Sequence, residues 1–313
     1  LKLWAGRRSD LLGGHRKALV VWGYSISNVA RPLLGLAGGW GTVLGLRALD
    51  RVGKGIRSAP RDAMLGDLAP PGRVGAAFGL QRALDNAGAV FGAIVAAAAV
   101  AWLDTGLQTI ILASALPGLV AVLLLAFGVR DVPHRVPPPA AVPLAFGRLS
   151  GTARRYLAVV VVFTFARVSE TFVVLRGHGI GLGLAELLLL WAAMNAAKIA
   201  TAYAGGALSD RHGRRAVMLV SWGLLVPAFA ALAVADTRAL LWFATLAYGA
   251  VSGLAEGAER ALIDDLAAPG ERGTAFGWYY LVTGAAAIPA GLLFGSIWAL
   301  GGPLGAYAYA AGL

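Results

Sequence analysis

Asp67-Leu-Ala-Pro-Pro-Gly-Arg-Val-Gly-Ala-Ala-Phe-Gly79 returns 198 residues later as Asp265-Leu-Ala-Ala-Pro-Gly-Glu-Arg-Gly-Thr-Ala-Phe-Gly277, with nine of the thirteen positions identical. Each copy is a Pro-Gly turn that opens into an apolar stretch. A second pair recurs at an offset of 200, where Gly6, Ser9, Asp10 and Gly13 match Gly206, Ser209, Asp210 and Gly213. Apolar helices resemble one another by composition, but polar loops do not, so the chain contains an internal duplication. Both copies fall in loops of the same side, and the two halves therefore share one orientation, a parallel repeat.

The sequence around these loops belongs in lipid. Of 313 residues, 58% are hydrophobic and 14% charged, and the mean hydropathy is +0.71, well above a soluble domain of this size. Nine stretches are long enough to cross about 30 Å of hydrocarbon, near 18–37, 39–58, 75–103, 108–128, 156–177, 184–205, 216–236, 239–260 and 274–298. Residues 1–5 read as the end of a helix that began upstream, and 304–313 as the start of one cut short. The fold expected is an all-α integral membrane protein of two six-helix bundles, truncated at both ends. Residues 1–128 form the first bundle, 129–155 a proline-rich cytoplasmic linker and 156–313 the second.

The net charge of +11 has a topological explanation. Lys2, Arg7, Arg8, Arg16, Lys17, Arg61, Arg73, Arg130, Arg135, Arg148, Arg154, Arg155, Arg211, Arg214, Arg215 and Arg272 fall in one set of loops, against Arg176 and Arg238 in the other. The positive-inside rule makes the first set cytoplasmic. No polar domain carries a basic face, so nucleic acid is not an expected partner. With no cysteine there is no disulfide framework or thiol nucleophile. The protein is expected in the inner or plasma membrane as a multi-pass monomer.

Gly206-Ala-Leu-Ser-Asp-Arg-His-Gly-Arg-Arg215 resembles the signature loop of the major facilitator superfamily, Gly-x-x-x-Asp-Arg-x-Gly-Arg-Arg, and Gly6, Asp10 and Gly13 resemble its paired copy. In that copy Leu11 stands where arginine is expected, and Gly14-His15 interrupts the basic run. The resemblance covers the whole chain. It implies that the spans are helices three to eleven of twelve, and that Gly6, Asp10, Gly13, Gly206, Asp210, Arg211, Gly213, Arg214 and Arg215 are gating-loop residues. The fourth-helix motif of the family carries an arginine tied to proton coupling, matched by Arg47 in Arg47-Ala-Leu-Asp-Arg-Val-Gly53. The Gly-Pro expected of drug antiporters is absent from Gly88-Ala-Val-Phe-Gly-Ala93. The run Arg51 to Asp62 resembles a bacterial branch of the family that includes exporters. Independently of family, Asp210 can sit at the positive end of a facing helix, while Arg211, Arg214 and Arg215 equally serve the positive-inside rule.

Charges within spans are costly, about 2.5–3.5 kcal/mol each at the bilayer centre, and so face a cavity or a partner. Arg47, Asp50, Arg51 and Lys54 share one helical face. Arg82, Asp85 and Asn86 lie in the third full span, Arg167 and Glu170 in the fifth, and Asn195 and Lys198 in the sixth. They are expected to line a solute and proton pathway, with Asp85 or Asp50 carrying the proton and Arg47 as its partner or as a binder of an anionic substrate. The alternative is that Arg82–Asp85 and Arg167–Glu170 are ion pairs that only lock helices. Lys54 and Arg57 are expected to reach the cytoplasmic interface along their stems. Glu256, Glu259 and Arg260 map by the repeat onto Ser58, Arg61 and Asp62, and an Arg61–Glu259 pair is expected to help close the cytoplasmic side.

The histidines His15, His134, His178 and His212 lack metal-ligand spacing, and Gly53-Lys-Gly55 lacks the rest of a phosphate-binding loop. An enzyme is not expected, nor a cofactor or metal. The function expected is secondary active transport of a small solute, proton-coupled and outward; a receptor or a uniporter on the same fold is the alternative. Aromatic residues such as Trp191, Tyr203, Tyr248, Trp278, Tyr279 and Tyr280 fit a cavity wall or ordinary packing.

Overall fold

The computed structural model describes residues 1–13, 15–131, 144, 146–167 and 169–313. The linker prolines 133–143, His134 and Arg135 lie outside the described residues. Those described form helices joined by short turns: α1 (Lys2–Leu11), α2 (Lys17–Leu33), α3 (Trp40–Leu68), α4 (Val74–Leu103), α5 (Leu107–Ala113), α6 (Ala115–Leu123), α7 (Gly151–Ala166), α8 (Thr171–Gly179), α9 (Leu184–His212), α10 (Arg214–Ala233), α11 (Arg238–Leu266) and α12 (Arg272–Gly312).

Seven helical stretches among the described residues are long and apolar enough to cross a membrane. The spans expected at 18–37 and 39–58 are helical as well, but α2 has only 17 residues and α3 carries the charged face of Arg47, Asp50, Arg51 and Lys54. Helix α3 also runs ten residues past the expected end, continuing through Pro60 to Leu68, just before Ala69-Pro70. The segment expected to start a separate helix at 304 does so: within the range given for α12 the backbone leaves helical geometry at Gly302 (φ 67°, ψ −172°), and a second helix follows it. The span expected at 156–177 falls within the crossing stretch Gly151–Gly179, whose helix is assigned as α7 and α8 with Arg167 and Glu170 between them.

The repeat is visible in the backbone. Gly72 and Gly270 sit at φ 76° and 80°, and Gly13 and Gly213 at 62° and 91°. These are left-handed conformations that a Cβ disfavours, so both copies of both loops turn by the same glycine.

The chain divides into two compact units. One comprises residues 1–68, 102–154 and 263–281, the other 69–101, 155–262 and 282–313, and each therefore contains pieces of both repeat copies. In the first unit α2 and α3 cross where Gly23 meets Gly53, a Cβ on Gly53 lying 2.7 Å from the Gly23 carbonyl. The second unit holds the main apolar core, in which Leu190, Met194, Leu232 and Leu241 are fully buried around Phe229, Tyr248, Phe294 and Tyr307. Outward positions are equally apolar, with Phe91 71% and Trp102 84% exposed. Such surfaces would aggregate in water and suit a lipid solvent.

Candidate functional site

The gating-loop aspartates occupy matching positions in the two units. In the first, Asp10 at the end of α1 accepts hydrogen bonds from the backbone N–H of Gly273 (2.9 Å) and Thr274 (2.7 Å) and from the Thr274 hydroxyl (2.8 Å), at the start of α12. In the second, Asp210 at the end of α9 accepts from the N–H of Gly75 (2.9 Å) and Ala76 (2.8 Å), at the start of α4. Each carboxylate satisfies helix-start donors that have no intrahelical acceptor, and lies at the positive end of the helix dipole. The helices come that close because Gly6 faces Gly273 and Gly206 faces Gly75, with no room for a Cβ at either contact.

The cations differ between the copies. Asp210 pairs with Arg214, which also reaches the Ser209 hydroxyl at 3.0 Å. Asp10 pairs with Arg16 at 3.1 Å, two residues beyond the position equivalent to Arg214, and Arg16 also meets Asp67 at 3.3 Å. The irregular basic run of the first copy thus still delivers a cation. Arg272 extends the cluster to Asp67 (2.8 Å) and Asp264 (3.0 Å). Arg16, Asp67, Asp264 and Arg272 were not singled out from sequence, although Asp67 and Arg272 lie in the repeated loop itself. Asp10 and Arg16 lie outside the apolar spans. Burial pushes the Asp10 carboxyl up to about 6, with Arg16 and Thr274 acting against it, and lowers the Arg16 guanidinium, with Asp67 and Asp10 acting against that. Arg211 and Arg215 are exposed, as cations obeying the positive-inside rule would be.

Within the second unit a cavity of about 220 Å³ is lined by the charged side chains Arg82, Arg167, Glu170, Lys198, Glu256, Glu259 and Arg260. Arg82 of α4 grips Glu256 of α11 with two nitrogens (2.8 and 3.3 Å) and also binds Asp85 at 3.1 Å. Lys198 pairs with Glu170, and stands 3.9 Å from Glu256. Arg167 pairs with Glu259, whose carboxylate also accepts from the Trp222 indole at 3.3 Å. Arg260 donates to the Glu256 carbonyl at 2.8 Å. Phe163 stacked on Trp222, with Phe229 and Tyr248, supplies the apolar wall.

Of the residues expected along a pathway, Arg82, Arg167, Glu170 and Lys198 line this cavity, and Asp85 is tied to it through Arg82. They are joined by Glu256, Glu259 and Arg260, which sequence reasoning placed at a cytoplasmic gate. Arg167 and Glu170 pair with other helices, Arg167 with Glu259 and Glu170 with Lys198, while Arg82–Asp85 forms as the ion-pair reading expected. Asn86 is buried one turn from Arg82, and Asn195 is buried with its amide donating to the Trp191 carbonyl. Neither lines the cavity. Of the aromatics named from sequence only Tyr248 does; Phe163, Trp222 and Phe229 were missed because an aromatic in an apolar span carries no facing signal.

Asp50 lies in the first unit. Its carboxylate is held by Arg31 (2.9 Å) and Lys54 (3.3 Å), while Arg47 is exposed. Arg31, a charge inside an expected span, was the detectable signal that sequence reading passed over. Arg61 binds Asp62 at 2.9 Å, and the buried Asp62 also accepts from the Tyr280 hydroxyl. Among the described residues no group of three or more His, Cys, Asp or Glu side chains is placed to hold a metal.

A sequence profile described as Major Facilitator Superfamily matches residues 1–291. The chain is 30% identical over 292 residues to an uncharacterized MFS-type transporter of Methanocaldococcus jannaschii, covering 90% of this chain and 72% of that protein. It is also 30% identical over 293 residues to an uncharacterized protein of Mycobacterium tuberculosis, covering 89% and 69%. Among solved structures, the human organic anion transporter MFSD10 superposes with a TM-score of 0.82 at 16% identity, over 99% of this chain and 78% of that one. The proton:xylose symporter XylE gives 0.73 at 14%, over 99% and 81%.

Proposed function

Because the chain belongs to the Major Facilitator Superfamily, a family of multi-pass membrane transporters, we propose that it is a secondary active transporter, moving a small solute by alternating access with a proton as the coupling ion. The observation that carries this reading is the charged cavity of the second unit. Four lining cations, Arg82, Arg167, Lys198 and Arg260, meet three lining carboxylates, Glu170, Glu256 and Glu259, and Asp85 binds Arg82 from outside the lining, so that the charges balance around a volume with aromatic walls.

A balanced cluster supplies a coupling mechanism. Arg82 is shared between Asp85 on its own helix and Glu256 on the other repeat copy. Protonating either carboxylate leaves the cluster with one net positive charge and frees a guanidinium hydrogen-bonding edge. A cationic solute is then expelled, or an anionic one drawn in. The outward direction corresponds to the first case, a cation leaving as a proton enters. The same fold serves an organic anion transporter, which suits the second case, and a proton:xylose symporter, in which a proton is the coupling ion. The two aspartate-capped helix starts, built from the matched loops, are the contacts that opening the cytoplasmic side would break. Asp50, held by Arg31 and Lys54, is the second carboxylate proposed to exchange a proton, with Arg47 one turn away. The membrane proposed is the plasma membrane, and the functional unit a monomer.

The test is uptake and efflux in proteoliposomes under an imposed pH gradient, with cationic drugs, divalent metals, sugars and organic anions as solutes. Gradient-driven movement that disappears in Glu256→Gln and Asp85→Asn supports the proposal. Counterflow that persists without response to pH identifies a uniporter instead, and binding without counterflow a receptor.

A further inference from the structure

A second cavity, of about 280 Å³, lies in the other unit between α2, α3 and α6. Two helical faces build it. Tyr24, Ser27, Asn28 and Arg31 recur along α2 at steps of three and four, while Ser114, Pro117, Gly118 and Ala121 do the same on the opposite wall. Arg57 of α3 forms the third side. Its guanidinium lies 3.8 Å from the centroid of the Tyr24 ring, and so points into the cavity wall, not along its stem to the interface as expected from sequence. Its Nε is buried and finds no hydrogen-bond acceptor among the described residues.

Charge is unbalanced here. Arg31, Lys54 and Arg57 supply three cations, and the Asp50 carboxylate that joins Arg31 and Lys54 supplies one anion. An excess of positive charge inside apolar spans calls for a counter-anion. From this cavity we infer a binding site for an oxyanion of the phosphate type, held by the Arg57 and Arg31 guanidinium edges with the Ser27, Asn28 and Ser114 polar groups around it. Planar guanidinium forks match phosphate oxygens in pairs.

The wall on the α6 side is open. Ser114, Pro117 and Ala121 are all exposed, and the span from Leu107 to Gly128 is 0% buried. The oxyanion can therefore come from a phospholipid headgroup entering from the bilayer or from free phosphate. None of these residues lines the charged cavity of the transport proposal, although Asp50, Arg31 and Lys54 are also its second proton-exchanging group; Arg57, on which the test rests, is in neither.

The experiment is a thermal-shift titration of the purified full chain in neutral detergent with two probes, inorganic phosphate and dioctanoyl phosphatidylglycerol, and zwitterionic dioctanoyl phosphatidylcholine as control. A saturable rise in Tm with phosphatidylglycerol alone identifies a lipid headgroup site. A rise with both anions identifies a site for the free oxyanion. In Arg57→Gln the apparent affinity should fall about tenfold, the effect of one lost charge-assisted hydrogen bond. Ala121→Leu, which fills the cavity from an exposed position and leaves every charge in place, should weaken binding similarly and guards against misfolding of the arginine variant. The inference is overturned if neither anion raises Tm above the control, or if both variants titrate like the parent.

Discussion

Replacing Asp10 by alanine should destabilise the protein more than the equivalent change at Asp210, although the sequence makes the two look like copies. Asp10 accepts three hydrogen bonds from the start of α12 and pairs with Arg16, whose side chain is 0% exposed. Removing it deletes a helix cap, worth about 1 kcal/mol, and takes from a buried guanidinium one of its carboxylate partners. Breaking a buried pair from one side costs about 3–5 kcal/mol. Asp210→Ala also removes a cap, but Arg214 is 13% exposed and can turn toward water, so the loss there should be about 1–2 kcal/mol. For a chain of this size, about 2 °C of Tm per kcal/mol gives a drop of about 6–10 °C at Asp10 and about 2–4 °C at Asp210, read by thermal unfolding of the purified protein. The double variant Asp10→Ala/Arg16→Met removes the stranded charge and should recover about 2 kcal/mol of the loss. Equal shifts at the two aspartates, or a double variant no better than the single, would show that burial of the cation does not set the difference.

Gly206→Ala should cost about 1–3 kcal/mol, seen as lost Tm and yield, because the new methyl meets the Gly75 backbone, which cannot swing aside as a side chain could. Lys198→Met should leave folding close to parental while abolishing gradient-driven transport in proteoliposomes, since it unpairs Glu170 in the cavity but adds apolar surface to a largely apolar helix. Solute entering the cavity should quench or shift Trp222 fluorescence, and Trp222→Phe should remove that signal with little change in Tm; a full signal in Trp222→Phe would place the solute elsewhere.

The membrane fold was legible because hydropathy and the repeated loops are strong periodic signals, and the left-handed glycines at 72 and 270 carry that repeat into the backbone. Asp210 at a facing helix start followed from elementary electrostatics. Harder to foresee was partner choice among charges. Arg82, Asp85, Lys198 and Glu170 announce themselves by being in spans, yet spacing alone suggests partners within one helix, and the partner found for Arg82 is also Glu256, 174 residues away. Arg167 and Glu170 have the spacing of an i, i+3 pair, yet each finds its partner on another helix, Glu259 and Lys198. Arg16, assigned to the interface by its loop position, is instead buried, because three acidic side chains and α12 close over it.

The crossed caps have a genetic consequence. Asp10 in the first repeat copy finishes a helix of the second, and Asp210 in the second finishes a helix of the first. A lesion in either loop is therefore felt at the far copy, and compensating second-site changes should map there. Suppressors of Asp10 variants are to be sought around Gly273 and Thr274, and those of Asp210 variants around Gly75. For the same reason neither copy expressed alone has its helix starts satisfied, whereas the two expressed as separate fragments have in each other what they lack.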